Sequence, residues 1–310
     1  MPSRFYQQHI LSAQQFTTAD LEHVFACTRE MRVLVDQQGG SDMLHRKVMA
    51  RLFYEPSTRT AMSFGAAMSR LGGIVIPTDG VQYSSVSKGE TLSDTVRTVQ
   101  AFSDVIVLRH PDEGAAQDAS LHVNIPLINA GDGVGEHPTQ AILDMYTIHE
   151  SFGGFDGLTI TLMGDLLHGR TIHALIQLLA MYRVHLKLVS PPSLRLPTKF
   201  VDILRNHQIS FQEFPDITAT LPTTDVLYVT RVQKERFATP DAYNAVADSY
   251  CLTPELMKMA KHRMIVMHPF PRVTEIHPDV DHDVRAAYFR QIRNGMVVRM
   301  ALLACVFGKM

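Results

Sequence analysis

Short apolar runs alternate along the chain with segments whose apolar residues recur at helical spacing. Residues 48–54 read as a strand. After a polar break, Phe64, Ala67, Met68 and Leu71 fall at i, i+3, i+4 and i+7 on one helix face, and Gly72 with Gly73 stops that helix. Leu92, Thr95, Val96 and Val99 repeat the spacing less cleanly before a strand at 105–108. Residues 126–128 form a further short strand, and Pro138 opens a helix running to His149. Around 151–157 the chain turns glycine-rich and a second series begins. It holds a strand at 158–163, a helix marked by Ile172, Leu175, Ile176 and Leu179, and strands at 185–189, 226–229 and 264–267. Met296, Met300, Leu303 and Phe307 give the closing helix its apolar face.

Strands alternating with helices predict βαβ units. The expected fold class is α/β, with two domains, each a mostly parallel sheet flanked by helices. The boundary falls near residue 150, giving domains 1–150 and 151–286. By its pattern the closing helix, about 287–310, fits either domain; the expectation carried forward is that it packs back on the first.

A length of 310 residues agrees with two domains. Hydrophobic residues make up 45% and charged residues 19%, enough apolar side chain for two cores. The formal net charge of -2 gives no general attraction to nucleic acid or to an acidic membrane surface. The three cysteines, Cys27, Cys251 and Cys305, are far apart in sequence and none lies in a CxxC pair. A disulfide framework is not expected, and a reducing, cytoplasmic setting is. The start of the chain has no apolar core like that of a signal peptide. Arg290, Arg293 and Arg299 interrupt the last apolar stretch, so no membrane partner is expected.

Polar, turn-rich segments follow six of the predicted strands at once: 56–60, 109–111, 129–140, 164–171, 230–236 and 268–272. Open α/β sheets bind ligands outside the carboxyl ends of their strands. Two such domains facing each other would pool these segments in one cleft. Arg59, Arg109, Arg170 and Arg231 each sit in one of them. A single arginine there is usually a surface residue or a local salt bridge. Four, in a slightly acidic chain, predict a site for more than one anionic group.

Ser57, Thr58, Arg59 and Thr60 lie between a strand and a helix. Free N–H groups at a helix start bind phosphate, but a Ser or Thr there serves equally as an ordinary N-cap. Arg59 opposes the helix dipole unless an anion is bound, which tilts the reading towards the anion. Residues 164–171 resemble a P-loop, GxxxxGK[ST], with Arg170 in place of lysine. A nucleotide-binding protein therefore stays as an alternative, weakened because a planar guanidinium does not replace an ammonium. Gly131, Gly133 and Gly135 have the wrong spacing for a dinucleotide loop. His137, at a helix start, is suited to be a neutral donor rather than a base. No Ser-His-Asp or Cys-His set is visible, and no His/Cys/Asp/Glu group has metal-ligand spacing, so neither metal nor organic cofactor is expected. Residues 80–90, with Lys88, read alone as a solvated loop.

Taken together, Ser57-Thr58-Arg59-Thr60, Ser84 with Lys88-Gly89-Glu90, Arg109-His110-Pro111, His137-Pro138-Thr139-Gln140, Gly169-Arg170-Thr171, Thr230 to Arg236 and His268-Pro269-Phe270-Pro271-Arg272 resemble the transcarbamoylase family, in order and over nearly the whole chain. The Lys88 loop and Thr230 to Arg236 resemble the aspartate type. The Ser-Met-Gly and His-Cys-Leu-Pro signatures of the ornithine type do not occur.

The resemblance implies transfer of a carbamoyl group from carbamoyl phosphate to L-aspartate, early in pyrimidine biosynthesis, without cofactor. A transcarbamoylase for another amino acid, and a non-catalytic relative, are the alternatives nearest to it. Ser57, Thr58, Arg59, Thr60 and Arg109 would hold the phosphate, with Ser84. Thr60, Arg109 and His137 would donate to the carbonyl oxygen as it becomes an oxyanion. Gln140 and the carbonyls of Pro269 and Phe270 would accept from the carbamoyl NH2, beside a candidate cis Phe270–Pro271 bond. Lys88, Arg170, Arg231 and Gln233 would grip aspartate. The two reactants carry about four negative charges, which Arg59, Lys88, Arg109, Arg170 and Arg231 would surround. The resemblance also implies a homotrimer with shared active sites. Tyr54-Glu55 and the 131–137 loop look most like the domain at the end of an animal-type multifunctional pyrimidine-biosynthesis polypeptide. Leu167 departs from the lysine usual at its place.

Overall fold

The computed structural model describes residues 4–79, 85–133, 135–237, 239–246 and 250–310. The chain divides into two compact units, Met1–Leu143 with Arg293–Met310, and Asp144–Ile292.

The first unit contains helices α1 (Thr18–Gln38), α2 (Thr58–Arg70), α3 (Leu92–Gln100) and α4 (Ala115–Ser120), and the start of α5 (Pro138–Phe152). Its strands are β1 (Val48–Phe53), β2 (Ile74–Asp79), β3 (Val105–His110) and β4 (Leu127–Asp132). They pair in parallel in the order β2-β1-β3-β4. Ala50 and Leu52 of β1, Ile106 and Leu108 of β3, and Leu127 of β4 form one core cluster with Val96, Ala116 and Ala119 from the helices. Strands buried in this way read as near-continuous apolar runs, which is why β1 and β3 stand out in the sequence. β2 does not, because it is an edge strand carrying Pro77, with Ile74 and Ile76 exposed. α1 is started by a reciprocal capping box between Thr17 and Asp20 and ended by Gly39 at φ 77°.

The second unit contains β5 (Thr159–Met163), α6 (Arg170–Leu179), β6 (His185–Val189), α7 (Thr198–Asn206), β7 (Ser210–Phe214), β8 (Val226–Val229), α8 (Pro240–Asn244), α9 (Pro254–Met257) and β9 (Ile265–Met267). Its strands are all parallel, in the order β7-β6-β5-β8-β9. Tyr228 of β8 is fully buried and donates to Asp144 Oδ2 at 2.7 Å, while Gln291 Nε2 donates to Asp144 Oδ1 at 2.6 Å. That satisfies a carboxylate with no solvent contact.

The closing helix α10 (Tyr288–Val306) returns to the first unit from Arg293 onwards. Arg293 pairs with Asp36 of α1, and Arg32 donates to the buried Asn294. Arg299, 4% exposed, donates to Ser63 Oγ at 2.8 Å and lies over the Phe64 ring of α2 at 5.0 Å. The arginines that break the apolar run in sequence therefore include one that is a core contact. Among the described residues no helix is long and apolar enough to cross a membrane.

Candidate functional site

In the first sheet the strand order reverses between β1 and β3, since the chain leaves β1 for β2 on one side and β3 for β4 on the other. Loops that diverge at such a point leave a crevice at the carboxyl ends of the strands. Arg109 lies in this position: it pairs with Phe53 across the β1–β3 ladder, and Tyr54 N donates to its carbonyl at 2.9 Å. Its side chain is nearly buried, with Nη2 at 2.7 Å from Glu55 Oε2 and Nη1 donating to Ala130 O at 3.2 Å. A guanidinium held from two sides is pre-oriented before any ligand arrives.

Ser57 is the N-cap residue of α2, in extended conformation, yet its hydroxyl makes no capping hydrogen bond. Thr58, Arg59 and Thr60 form the first helical turn, with Thr60 buried. The two readings of this segment thus separate: Ser57 takes the cap position without spending its hydroxyl on the helix, which favours an anion site.

After β4, Asp132 builds the turn that delivers His137. Its carboxylate accepts from Asn129 Nδ2 at 3.2 Å, Glu136 N at 3.0 Å and Gly114 N at 3.0 Å. Gly133 has φ 49°, and a Cβ there would lie 2.7 Å from the Pro111 carbonyl oxygen, so only glycine fits. Glu136 accepts from Ser12 Oγ at 2.7 Å and Ala13 N at 2.6 Å. The backbone carbonyl of His137 then starts α5, accepting from Gln140 N and Ala141 N at 3.0 and 3.1 Å. The His137 ring is buried and Gln140 half-buried. His110 packs on Tyr54 at 4.7 Å, and burial pushes its pKa down against the pull of Asp112 and Asp132. Lys88 ends a short turn, Ser85–Lys88, and is exposed. Ser84 lies outside the described residues.

In the second sheet the order reverses between β5 and β8. Gly164 follows β5 with φ 117°, and a Cβ there would sit 2.0 Å from the Thr230 carbonyl oxygen, so the two loops touch through backbone. Asp165, fully buried, ties them: Oδ1 accepts from His168 N at 2.9 Å and Oδ2 from Gln233 N at 3.3 Å. Gln233 Nε2 donates in turn to His168 O at 2.9 Å. Arg170 begins α6, and Arg231 lies just past β8; both are half-buried. Leu167 is exposed in the same loop.

This arrangement weakens the P-loop alternative. A phosphate cradle needs loop N–H groups aimed at the ligand, whereas His168 N serves Asp165 and Arg170 N donates to His168 O at 2.9 Å. Beyond β9, His268 Nδ1 accepts from Phe270 N at 2.7 Å and Nε2 lies 2.6 Å from Glu275 Oε1. The Phe270–Pro271 bond is cis and Phe270 has φ 57°. Pro269 and Phe270 are half-buried and Pro271 is exposed. Burial alone would raise the Glu275 pKa, but its bonds to His268 and to backbone N–H groups hold it below the ordinary value.

Glu55, Asp132, Asp165 and Glu275 are the orienting carboxylates that sequence reasoning passed over. Each lies inside one of the six polar segments or within three residues of one, but nothing in the spacing shows what it would hold. Two parallel α/β units, each with arginine-bearing loops at the switch point of its sheet, define a two-domain α/β protein suited to small anionic ligands.

Residues 8–150 match the family model described as the carbamoyl-P binding domain of aspartate/ornithine carbamoyltransferase, and residues 156–306 match the Asp/Orn binding domain of the same family. The chain belongs to the aspartate/ornithine carbamoyltransferase family. It is 54% identical over 301 residues to the multifunctional protein pyr1-3 of Dictyostelium discoideum, covering 97% of this chain but only 14% of that relative. It is 49% identical over 299 residues to the aspartate carbamoyltransferase catalytic subunit of Thermococcus kodakarensis, covering 96% of each. Among solved structures it resembles aspartate transcarbamoylase from Trypanosoma cruzi in complex with carbamoyl phosphate and aspartate, with a TM-score of 0.93, 41% identity and 98% coverage of both chains.

Proposed function

We propose that the chain transfers the carbamoyl group of carbamoyl phosphate to the amine of L-aspartate, giving N-carbamoyl-L-aspartate and phosphate, an early step of de novo pyrimidine biosynthesis. The observation that carries this reading is the likeness over 98% of both chains to a transcarbamoylase whose structure holds both substrates. It is supported by the unspent Ser57 hydroxyl at the start of α2 and by the pre-oriented Arg109.

In this reading Ser57, Thr58, Arg59, Thr60, Ser84 and Arg109 bind the phosphate. Thr60, Arg109 and His137 stabilise the oxyanion. Gln140 and the Pro269 and Phe270 carbonyls take the carbamoyl NH2; the bond from Phe270 N to His268 supports a fixed orientation of that segment. Lys88, Arg170, Arg231 and Gln233 bind aspartate. The amine attacks the carbonyl carbon, a tetrahedral intermediate forms, and the C–O bond to phosphate breaks. The amine is itself the nucleophile, so the enzyme supplies none, and the departing phosphate takes the amine proton. Rate enhancement then comes from positioning and preorganised charge.

The decisive test is phosphate release from carbamoyl phosphate in the presence of a chelator. Aspartate should support turnover and ornithine should not. Turnover with ornithine, or with neither, ends the reading.

The homotrimer, the active site shared between neighbours, the cytoplasmic setting and membership of a larger polypeptide belong to the same proposal. The last is supported by the multifunctional relative, of which this chain spans 14%. Mixing inactive Lys88→Ala and Arg59→Ala chains should restore activity in hybrids if sites are shared. Confirmed hybrids without activity would refute sharing.

A further inference from the structure

Outside the loops already described, a second group of reactive side chains gathers where α10 lies on α1. Cys27 Sγ and Cys305 Sγ lie 4.0 Å apart. His23 Nε2 is 3.7 Å from the first and 3.8 Å from the second. Both cysteines are buried and His23 is exposed. No disulfide links them. The expectation that no metal-ligand group exists rested on sequence spacing, and the fold overturns that premise: His23 and Cys27 share a face of α1 at i, i+4, and Cys305 arrives from 278 residues away.

We propose that His23, Cys27 and Cys305 form a zinc(II) site with an open fourth position towards solvent. The triangle of donor atoms has the right size. With Zn–S about 2.3 Å and Zn–N about 2.0 Å in tetrahedral geometry, sulfurs sit about 3.8 Å apart and sulfur and nitrogen about 3.5 Å apart. The observed edges of 4.0, 3.7 and 3.8 Å need only a few tenths of an ångström of adjustment. Two thiols bonded to each other would instead need their sulfurs at about 2.05 Å, a far larger movement between packed helices. The donor set is also chemically apt, since thiolate and imidazole are the ligands zinc prefers over oxygen donors. Binding releases a proton from each thiol, and the two thiolates neutralise the cation, so the buried side of the site carries no net charge. Exposed His23 leaves one face for water or an exchanging ligand, as in zinc sites with three protein ligands. Such a site would tie the closing helix to α1.

The test uses the full chain, reduced and stripped of metal, titrated with cobalt(II) and then zinc(II). One cobalt per chain, with sulfur-to-cobalt charge-transfer absorption and the intense visible bands of tetrahedral cobalt, displaced by zinc, is the expected result. Cys251→Ser should leave it unchanged. Cys27→Ser should abolish it. His23→Ala, at an exposed position that folding tolerates, should weaken zinc by more than the roughly 10–100-fold that loss of an outer-shell partner costs. Zinc should raise the melting temperature of the parent chain and not of Cys27→Ser. Cobalt bands without thiolate character, uptake that survives in a folded Cys27→Ser chain, equal affinity in His23→Ala, or no uptake by the reduced chain would each overturn the proposal.

Discussion

Replacing Gly164 by alanine tests how the second unit holds its candidate loops. At φ 117° a residue with a side chain is strained, by about 1–3 kcal/mol. Contact adds to that strain. The new Cβ would fall 2.0 Å from the Thr230 carbonyl oxygen, and that atom is backbone, so it cannot swing aside. Ordinary contact begins at about 3.5 Å, so the β8 loop must retreat by more than an ångström. That movement stretches the bond from Thr230 N to Met163 O, now 2.8 Å, at a further cost of about 1 kcal/mol. Together these give about 2–4 kcal/mol, a large part of the 5–15 kcal/mol that typically stabilises a domain. Gly153→Ala is the matched control: its φ is 79°, and nothing lies within 4 Å of the added Cβ, so it carries backbone strain alone. Urea unfolding of both variants beside the parent measures the difference. In the kinetics, Gly164→Ala should raise KM for aspartate much more than for carbamoyl phosphate, because Arg231 and Gln233 lie just beyond Thr230. A stability loss no greater than that of Gly153→Ala, or equal effects on both KM values, would refute the reasoning.

Arg109→Ala removes a cation proposed to act on both phosphate and oxyanion and should lower kcat about 10²–10³-fold; it also leaves Glu55 without its partner and should cost stability, so steady-state assays are run where circular dichroism shows the variant folded. Tyr228→Phe leaves the buried Asp144 with one fewer donor and should cost about 1.5–3 kcal/mol in urea unfolding. Glu275 has a folded-state pKa below its ordinary value of 4.5, so it contributes stability present above about that pH and lost as pH falls through the folded value. Glu275→Gln should therefore lower stability near neutral pH and flatten the acid limb of the stability profile, followed by urea midpoints at successive pH values.

The sequence carried the strands buried on both faces and the loops that follow them. β6 and β8 are legible because each is a short, mostly apolar run, and the segments after β1, β3, β5 and β8 are legible because arginine, serine and threonine interrupt apolar patterns. Two of the four edge strands escaped, while β4 and β9 at the opposite edges were read. β2 contains Pro77 and exposes two isoleucines, and β7, Ser-Phe-Gln-Glu-Phe, is too polar to read as a strand until β6 is beside it. α1 also went unread: its apolar residues are mixed with charges, and its start depends on the Thr17–Asp20 pair. At the candidate site the cations were visible and their holders were not. Nothing in a one-dimensional pattern says that Asp165 bonds residues 168 and 233, or that Glu55 meets Arg109. Such partners are fixed by strand register and by which loops the sheet order brings side by side. The His23–Cys27–Cys305 group is the extreme case. Two of its three members are an i, i+4 pair on one helix, but the third belongs to it only because the chain, after building a second unit, returns its last helix to the first. Motif spacing finds chemistry that one element contains; chemistry made by the packing of two distant elements becomes visible only with the fold.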